Sequence, residues 1–303
     1  MEDKNLLDLA KLYGFDQCFL VDASLCEDAP QGVCTLMLLL KAYGSWSSTK
    51  PGFVRISPYY ATAQSAYHAA LALKRHLEED GEKAVQLPQV ELKPLCMQLS
   101  PFAMGRNTLL YHRDYGSRFH LQLVGLFHFY PMEDKLRRTG PAPDMCRGCR
   151  KCANACPSHA LDGKGFSRNL CIRQHMISGQ IVPESIREWM EDRLIGCDIC
   201  QEACPWNASH VIEEPKSNYT NYSLDRLLAE PKVSAKELGQ NIGNNMVISN
   251  RLLAQACICA GNSRDKRYLP ILQELLHHPS ETVSAHASWA AEILTRETKN
   301  TSS

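Results

Sequence analysis

The chain has no net charge. Its 303 residues carry 33 Lys and Arg against 33 Asp and Glu. No overall field therefore draws it to polyanions, and any contact with nucleic acid has to come from a local patch. Long hydrophobic runs are also missing. The longest, Val33–Tyr43, is too short to span a bilayer. The amino-terminal stretch MEDKNLLDLAKLYG mixes acids and bases and does not read as a basic region followed by an apolar block. A cytoplasmic chain with reduced thiols is the expectation, which argues against a disulfide scaffold for its 14 cysteines.

What the chain does have is cysteine at metal spacing. Eight of the 14 fall between Cys146 and Cys204. They run Cys146-x2-Cys149-x2-Cys152-x3-Cys156-Pro157, then Cys171, then Cys197-x2-Cys200-x3-Cys204-Pro205. The first run is the bacterial ferredoxin pattern for cubane clusters, in which the fourth cysteine ligates the other cluster. Eight thiolates suit two [4Fe–4S] clusters with none left over. The spacing assigns Cys146, Cys149, Cys152 and Cys204 to one, and Cys156, Cys171, Cys197 and Cys200 to the second, with Cys171 replacing the cysteine that the second run lacks. Zinc is the competing reading of paired Cys-x2-Cys, and disulfides are a third. The other cysteines, Cys18, Cys26, Cys34, Cys96, Cys257 and Cys259, read as small buried hydrophobes.

Periodicity divides the rest. A helix is expected over residues 1–14, a strand at Gln17–Asp22, a buried strand within Gly32–Ala42 and a strong helix over Ala61–Asp80. Val85–Leu92 reads as an edge strand because of Pro88. Asn107–Arg118 and Leu121–Tyr130 flank a turn at Tyr115-Gly116-Ser117, and Ser47–Pro51 is a polar loop. Such a mixture points to an α/β or α+β layered domain. Lys135–Pro143 marks a boundary. The cluster module follows, with a helix at Glu184–Arg193 separating its cysteine sets. Beyond Ser223 three apolar helix faces follow: Leu252, Leu253, Ala256, Ala260; then Leu269, Leu272, Leu275, Leu276; then Val283, Ala287, Ala290, Ile293. Short turns between them suggest a HEAT-type repeat, against an ordinary helical tail.

The expected class is thus α+β and multidomain. Residues 1–140 form an α/β domain, 141–215 a ferredoxin-like double-cluster domain, 216–297 a helical domain, and 298–303 a disordered tail. Basic side chains gather around the first cysteine run (Arg147, Arg150, Lys151, Lys164, Arg168) and at the tail helices (Arg251, Arg264, Lys266, Arg267). They could meet phosphates or be plain solvated faces. His112, His120 and His128 read as structural or surface residues. Trp206 is expected to shield a cluster, and Trp289 to sit in the tail core.

The double-cluster module ending Cys197-Asp198-Ile199-Cys200-Gln201-Glu202-Ala203-Cys204-Pro205-Trp206-Asn207, with a helical tail behind it, resembles the epoxyqueuosine reductase family. Met104-Gly105-Arg106-Asn107-Thr108-Leu109-Leu110 and Tyr115-Gly116-Ser117-Arg118-Phe119 are similar to the family's Gly-Lys-Asn-Thr-Leu-Leu and Tyr-Gly-Ser-Trp-Phe segments, and Tyr67-His68 to its Tyr-His pair. The resemblance implies a cobalamin-binding amino-terminal domain, with clusters feeding electrons to the cobalt. It implies a carboxylic general acid that helps reduce the epoxide of a modified tRNA base to an alkene, and a tail that holds the tRNA anticodon arm. On this pattern Tyr67, His68, Arg106, Asn107 and Thr108 are candidate cofactor contacts.

The chain departs from the family in being shorter between Ser24 and Val33. Arg106 stands in place of a lysine, and ATAQSA (61–66) replaces the polar residues before the Tyr-His pair. Glu91, in Val90-Glu91-Leu92-Lys93-Pro94-Leu95, stands where the family has an aspartate. Glu91 is the candidate proton donor, expected to be buried against the corrin. An electron donor such as flavodoxin or ferredoxin is implied, and a monomer is expected. The alternative is a two-cluster ferredoxin-type electron-transfer protein without cobalamin that serves a partner enzyme.

Overall fold

The computed structural model describes residues 3–46, 49–162, 165–208 and 220–300. Chain contacts group into two units. One contains Met1–Ser45, Ala63–Lys151 and Gln201–Glu214; the other contains Trp46–Thr62, Cys152–Cys200 and Pro215–Ser303. Both are discontinuous in sequence, so they cut across the sequential division expected at residues 140 and 215. The cluster module and helical tail were expected as separate domains, yet Ile172, Met176, Ile186 and Leu194 share one apolar core with Leu227, Leu252 and Ala287.

The first unit is built on a four-stranded antiparallel sheet. Its strand order is Gln17–Asp22, Thr35–Ala42, Phe119–Leu126, Ala84–Gln86. Thr35–Ala42 is central and covered on both sides, which explains its unbroken apolar run. Leu36, Leu38 and Leu40 face one core with Leu95, Leu99, Phe102 and Leu123. Met37 and Leu39 face the other with Leu6 and Ala10 of the helix Asp3–Leu12 and Ala70, Leu73 and Leu77 of the helix Pro58–Glu79. A hairpin of Phe102–Met104 and Leu110–His112 completes the unit.

The second unit has a small mixed sheet. Phe53–Ile56 pairs in parallel with Arg193–Ile195 and antiparallel with Asn221–Ser223. Helices follow at Leu224–Ala229, Pro231–Ile242, Ser249–Asn262, Leu269–Leu275 and Glu281–Asn300. Small residues bring Ser249–Asn262 close to Glu281–Asn300. A Cβ at Gly261 would stand 3.0 Å from the Ala290 Cα. The buried positions Leu252, Leu253, Ala256, Ala260, Leu272, Val283, Ala287 and Ala290 carry the expected faces, whereas Leu276 stays exposed.

Three local expectations are corrected. Val85–Leu92 keeps only the strand Ala84–Gln86, and a short helix Leu92–Met97 takes over. Glu184–Arg193 is broken into a helix Glu184–Arg187, a 3₁₀ turn Glu188–Met190 and the strand Arg193–Ile195, with Glu191 at φ 51° between them. The final helix continues to Asn300, three residues into the tail expected to be disordered, and 301–303 lie outside the described residues. Residues 1–2 of the expected first helix and 47–48 of the expected loop lie outside them too. Among the described residues no helix is long and apolar enough to cross a membrane.

A buried histidine gives the second unit a pH dependence. His286 is fully buried, and its Nε2 accepts the Val182 N–H at 3.0 Å. Burial, helped by the Arg187 charge, pushes its pKa down to about 4. The unfolded chain titrates near 6.5, so it binds the proton first as pH falls. The stabilisation is complete above about pH 6.5 and lost towards pH 4, on the order of 2–3 kcal/mol in all. Denaturant midpoints measured across that window should fall with pH, and His286→Gln should flatten the slope.

Candidate metal centre

In the first unit the loop from Met104 to Leu110 sets the geometry. Gly105 has no room for a Cβ, which would strike the Tyr111 ring. The loop turns through Thr108 at φ 62°, and the Thr108 carbonyl accepts from Lys93 Nζ at 2.8 Å. This turn points the Arg106 backbone N–H at the Cys146 Sγ, 3.3 Å away. A thiolate at this position would accept that N–H as a charge-assisted bond. The Arg106 side chain itself is exposed.

Behind the loop lies a buried polar network. Asn107 Oδ1 accepts from Leu109 N at 3.4 Å, which turns its Nδ2 to the Tyr111 hydroxyl at 3.0 Å. Asn207 Oδ1 accepts from Ser117 N at 2.8 Å. Its Nδ2 donates to Ser117 Oγ at 2.9 Å and to the Gln201 carbonyl at 2.7 Å. Gln201 Nε2 donates to the Ser117 carbonyl at 3.0 Å. Gly116 at φ 59° allows this approach, because any Cβ there would collide with Asn207 Oδ1. The segment Gln201–Asn207, with Cys204 at its centre, is thereby fixed to Ser117. Burial, with Cys204 as a further cause, holds the Tyr111 hydroxyl well above its ordinary range. Trp206 is partly exposed and donates from Nε1 to the Met145 carbonyl at 3.2 Å.

In the second unit Cys171, Cys197 and Cys200 are close enough to act on one another electrostatically, and Cys152 also acts on Cys200. Burial pushes the Cys197 thiol up to about 12 and the Cys200 thiol higher. Cys152 packs with Ala153, Leu161 and Cys200. Cys156 lies half-buried, its Sγ 3.5 Å from Ser158 Oγ. Cys149 is half-buried in the first unit. Among the described residues no three Cys, His, Asp or Glu side chains converge on a point where they could hold one ion. Zinc gathers its ligands about 2.3 Å from a single centre, whereas a cubane gives each thiolate its own iron. Soft thiolate donors suit an iron–sulfur cubane, in which each thiolate has its own iron.

The remaining candidates are placed as follows. Tyr67 and His68 are exposed on the helix Pro58–Glu79, their rings edge to face at 5.5 Å. Glu91 is exposed at the start of the helix Leu92–Met97 and makes no side-chain capping bond. Asn107 is buried and committed to Tyr111. Arg251 is tied to the carbonyls of Ile177, Asn245 and Met246, Arg264 to Glu188, and Arg267 to Asp225 and Asp265. Lys266 is exposed, and Lys164 lies outside the described residues. His112 and His120 are buried and His128 is exposed; Trp289 is in the tail core. Cys96, Cys257 and Cys259 are buried, and Cys18, Cys26 and Cys34 half-buried. Sequence reasoning missed the roles of Tyr111, Ser117, Gln201 and Asn207. The available signal was a run of amide and hydroxyl side chains beside Cys204 and the Tyr-Gly-Ser turn.

Comparison with known proteins now bears on this arrangement. A family described as a 4Fe-4S double cluster binding domain matches residues 145–207. An epoxyqueuosine reductase of Listeria monocytogenes is 28% identical over 243 residues, 74% of this chain and 62% of that one. The chain resembles the epoxyqueuosine reductases. A second, from Lactococcus garvieae, is 30% identical over 202 residues, 63% of this chain and 55% of its own. The chain thus spans between half and two thirds of the length of these relatives. A crystal structure of an epoxyqueuosine reductase with an epoxyqueuosine-modified tRNA stem loop superposes with a TM-score of 0.77 at 18% identity, covering 96% of this chain and 89% of that one. That likeness extends the shared fold to nearly the whole chain, a mixed α/β architecture with the double-cluster domain.

Asn207→Leu tests the buried network. It would strand the Ser117 N–H and the Gln201 carbonyl in a dry site, and each orphaned group costs about 1–3 kcal/mol. A loss of roughly 2–4 kcal/mol in denaturant unfolding is expected, and an unchanged midpoint would contradict the network.

Proposed function

We propose that this chain is an iron–sulfur oxidoreductase of the epoxyqueuosine reductase kind, reducing epoxyqueuosine to queuosine in tRNA. The match of residues 145–207 to a double-cluster domain carries the reading, because it coincides with the full set of eight cysteines. The ligand sets are Cys146, Cys149, Cys152, Cys204 and Cys156, Cys171, Cys197, Cys200. Turning an epoxide into an alkene consumes two electrons and two protons and releases water. A cubane passes one electron at a time, so a pair of clusters suits a two-electron demand.

Cobalamin, when bound, would supply the metal-centred transfer to carbon. The exposed side chains of Tyr67, His68 and Arg106 are free to lie against so large a ligand. Thr108 stays at the same loop, while Asn107 supports it from below through Tyr111. Glu91 is the candidate proton donor to the leaving oxygen. Lys93 ties the start of its helix to the Thr108 loop, so the helix that Glu91 begins is joined to the Arg106–Thr108 loop.

Charge supports the partners. Between Met145 and Val182, Arg147, Arg150, Lys151, Lys164, Arg168 and Arg173 stand against a single acid, Asp162. In a chain without net charge this is the one concentrated basic segment around the cysteines. It suits the phosphates of a tRNA anticodon arm or an acidic electron donor such as flavodoxin or ferredoxin. The three apolar helix faces support a HEAT-like tail over 216–297, with the cofactor contacts sought in 1–140 and the cluster cysteines in 141–215. A monomer in the cytoplasm completes the reading.

The glutamate at position 91, where the family has an aspartate, favours a second reading, a two-cluster electron-transfer protein without cobalamin. Anaerobic reconstitution with cobalamin separates the two. Corrin absorption bands retained through gel filtration, with alkene formation on epoxyqueuosine-containing tRNA, support the reductase. Cluster absorption alone supports the second. Under either, Cys171→Ala should lower bound iron from about eight to about four per chain; iron unchanged at eight would remove Cys171 from the ligand set. Glu91→Gln should cut turnover by about 10²–10⁴-fold while leaving iron content intact.

A further inference from the structure

The strand Phe53–Ile56 ends at Ser57, which meets the segment from Ile195 to Asp198 in three ways. Ser57 N donates to the Ile195 carbonyl at 2.8 Å. Ser57 Oγ donates to Asp198 Oδ2 at 2.5 Å, across 141 positions of sequence. Gly196 turns at φ 87°, and a Cβ there would stand 2.5 Å from the Ser57 Cβ. Ser57 is fully buried and directly precedes the helix Pro58–Glu79. A serine in that place ordinarily turns its oxygen to N–H groups of the first turn. Here the Tyr60 N–H goes to the Ser57 carbonyl at 2.9 Å, and the hydroxyl is directed to Asp198.

Asp198 follows Cys197 directly and stands two positions before Cys200. Both cysteines are assigned with Cys156 and Cys171 to the second cubane, and all four lie in the second unit with Ser57. The bond from Ser57 thus fixes a carboxylate one residue away from a ligand. Asp198 is half-buried, and a partly buried charge is screened much less than an open one.

We propose that Ser57 holds the Asp198 carboxylate beside the second cubane, and that this charge keeps the cubane's reduction potential below the value it would have without it. The inference rests on the iron–sulfur reading above. A reduced cluster carries one more negative charge than an oxidised one. A fixed negative charge nearby opposes the incoming electron, more strongly in a half-buried site than in water, and the midpoint falls. Asp198 is not counted among the ligands and acts through its field. Ser57 is a positioning residue that acts through Asp198.

The test is a redox titration of anaerobically reconstituted full-length protein, followed by the electron paramagnetic resonance of the reduced cubanes, with iron counted in each sample. Asp198→Asn keeps an oxygen for the Ser57 hydroxyl and removes the charge. One of the two native midpoints should rise, the reduced-to-oxidised ratio at fixed potential growing about tenfold, which is about 59 mV for one electron. The other should stay, and the one that moves should be the one missing from Cys171→Ala. Ser57→Ala lets the carboxylate turn to solvent, so the same midpoint should rise by less. Combined with Asp198→Asn it should bring no further rise. About eight irons with both midpoints unmoved in Asp198→Asn would overturn the proposal and leave the cluster reading standing. A shift from Ser57→Ala that persists on top of Asp198→Asn would overturn the positioning role. Should Asp198→Asn not take up the second cubane, Asp198→Ser is titrated with the same expectation. Loss of that cubane there too would overturn the proposal, because the carboxylate would then be holding the ligands and not setting their potential. A native protein without iron would overturn the cluster reading as well, and the iron count distinguishes the two failures.

Discussion

Sulfur charge has to be neutralised where it is buried, and the rest of this structure depends on how that is done. Burial alone disfavours the thiolates, pushing the Cys197 and Cys200 thiols far up. A thiolate becomes stable there only when a cation binds it and donors face it. Iron supplies the cation. The chain supplies the donors, beginning with the Arg106 N–H on Cys146. Metal binding is therefore coupled to the order of the segments that carry the cysteines.

The first unit offers a stiff base for those donors. Its central strand is buried on both faces, and the hairpin of Phe102–Met104 and Leu110–His112 packs on the same core through Phe102 and Leu110. From that hairpin comes the loop that reaches Cys146. Side chains locked by second-layer hydrogen bonds hold their targets more closely than free ones do. Asn107 and Asn207 do this through amides whose orientation is fixed by backbone N–H groups.

Much of this was legible in sequence because it is local. The cysteine spacing, the strand Gln17–Asp22 and the apolar faces of Leu252–Ala260 and Val283–Ala290 depend on neighbours a few residues away. Glu184–Arg193 misled because its helical composition is overridden by Arg193–Ile195, which pairs with Phe53–Ile56 from far earlier in the chain. Val85–Leu92 failed at Pro88, after which the backbone enters a helix. The Ser117–Asn207 bond joins residues 90 positions apart and leaves no periodic trace.

The most direct test of the whole account is the Mössbauer spectrum of native protein assembled anaerobically with ⁵⁷Fe. The account predicts that all bound iron appears as the valence-delocalised pairs of oxidised [4Fe–4S] cubanes, in two cluster equivalents per chain. Iron in mononuclear thiolate sites, or a protein that fills its cysteines with zinc under the same conditions, would contradict it.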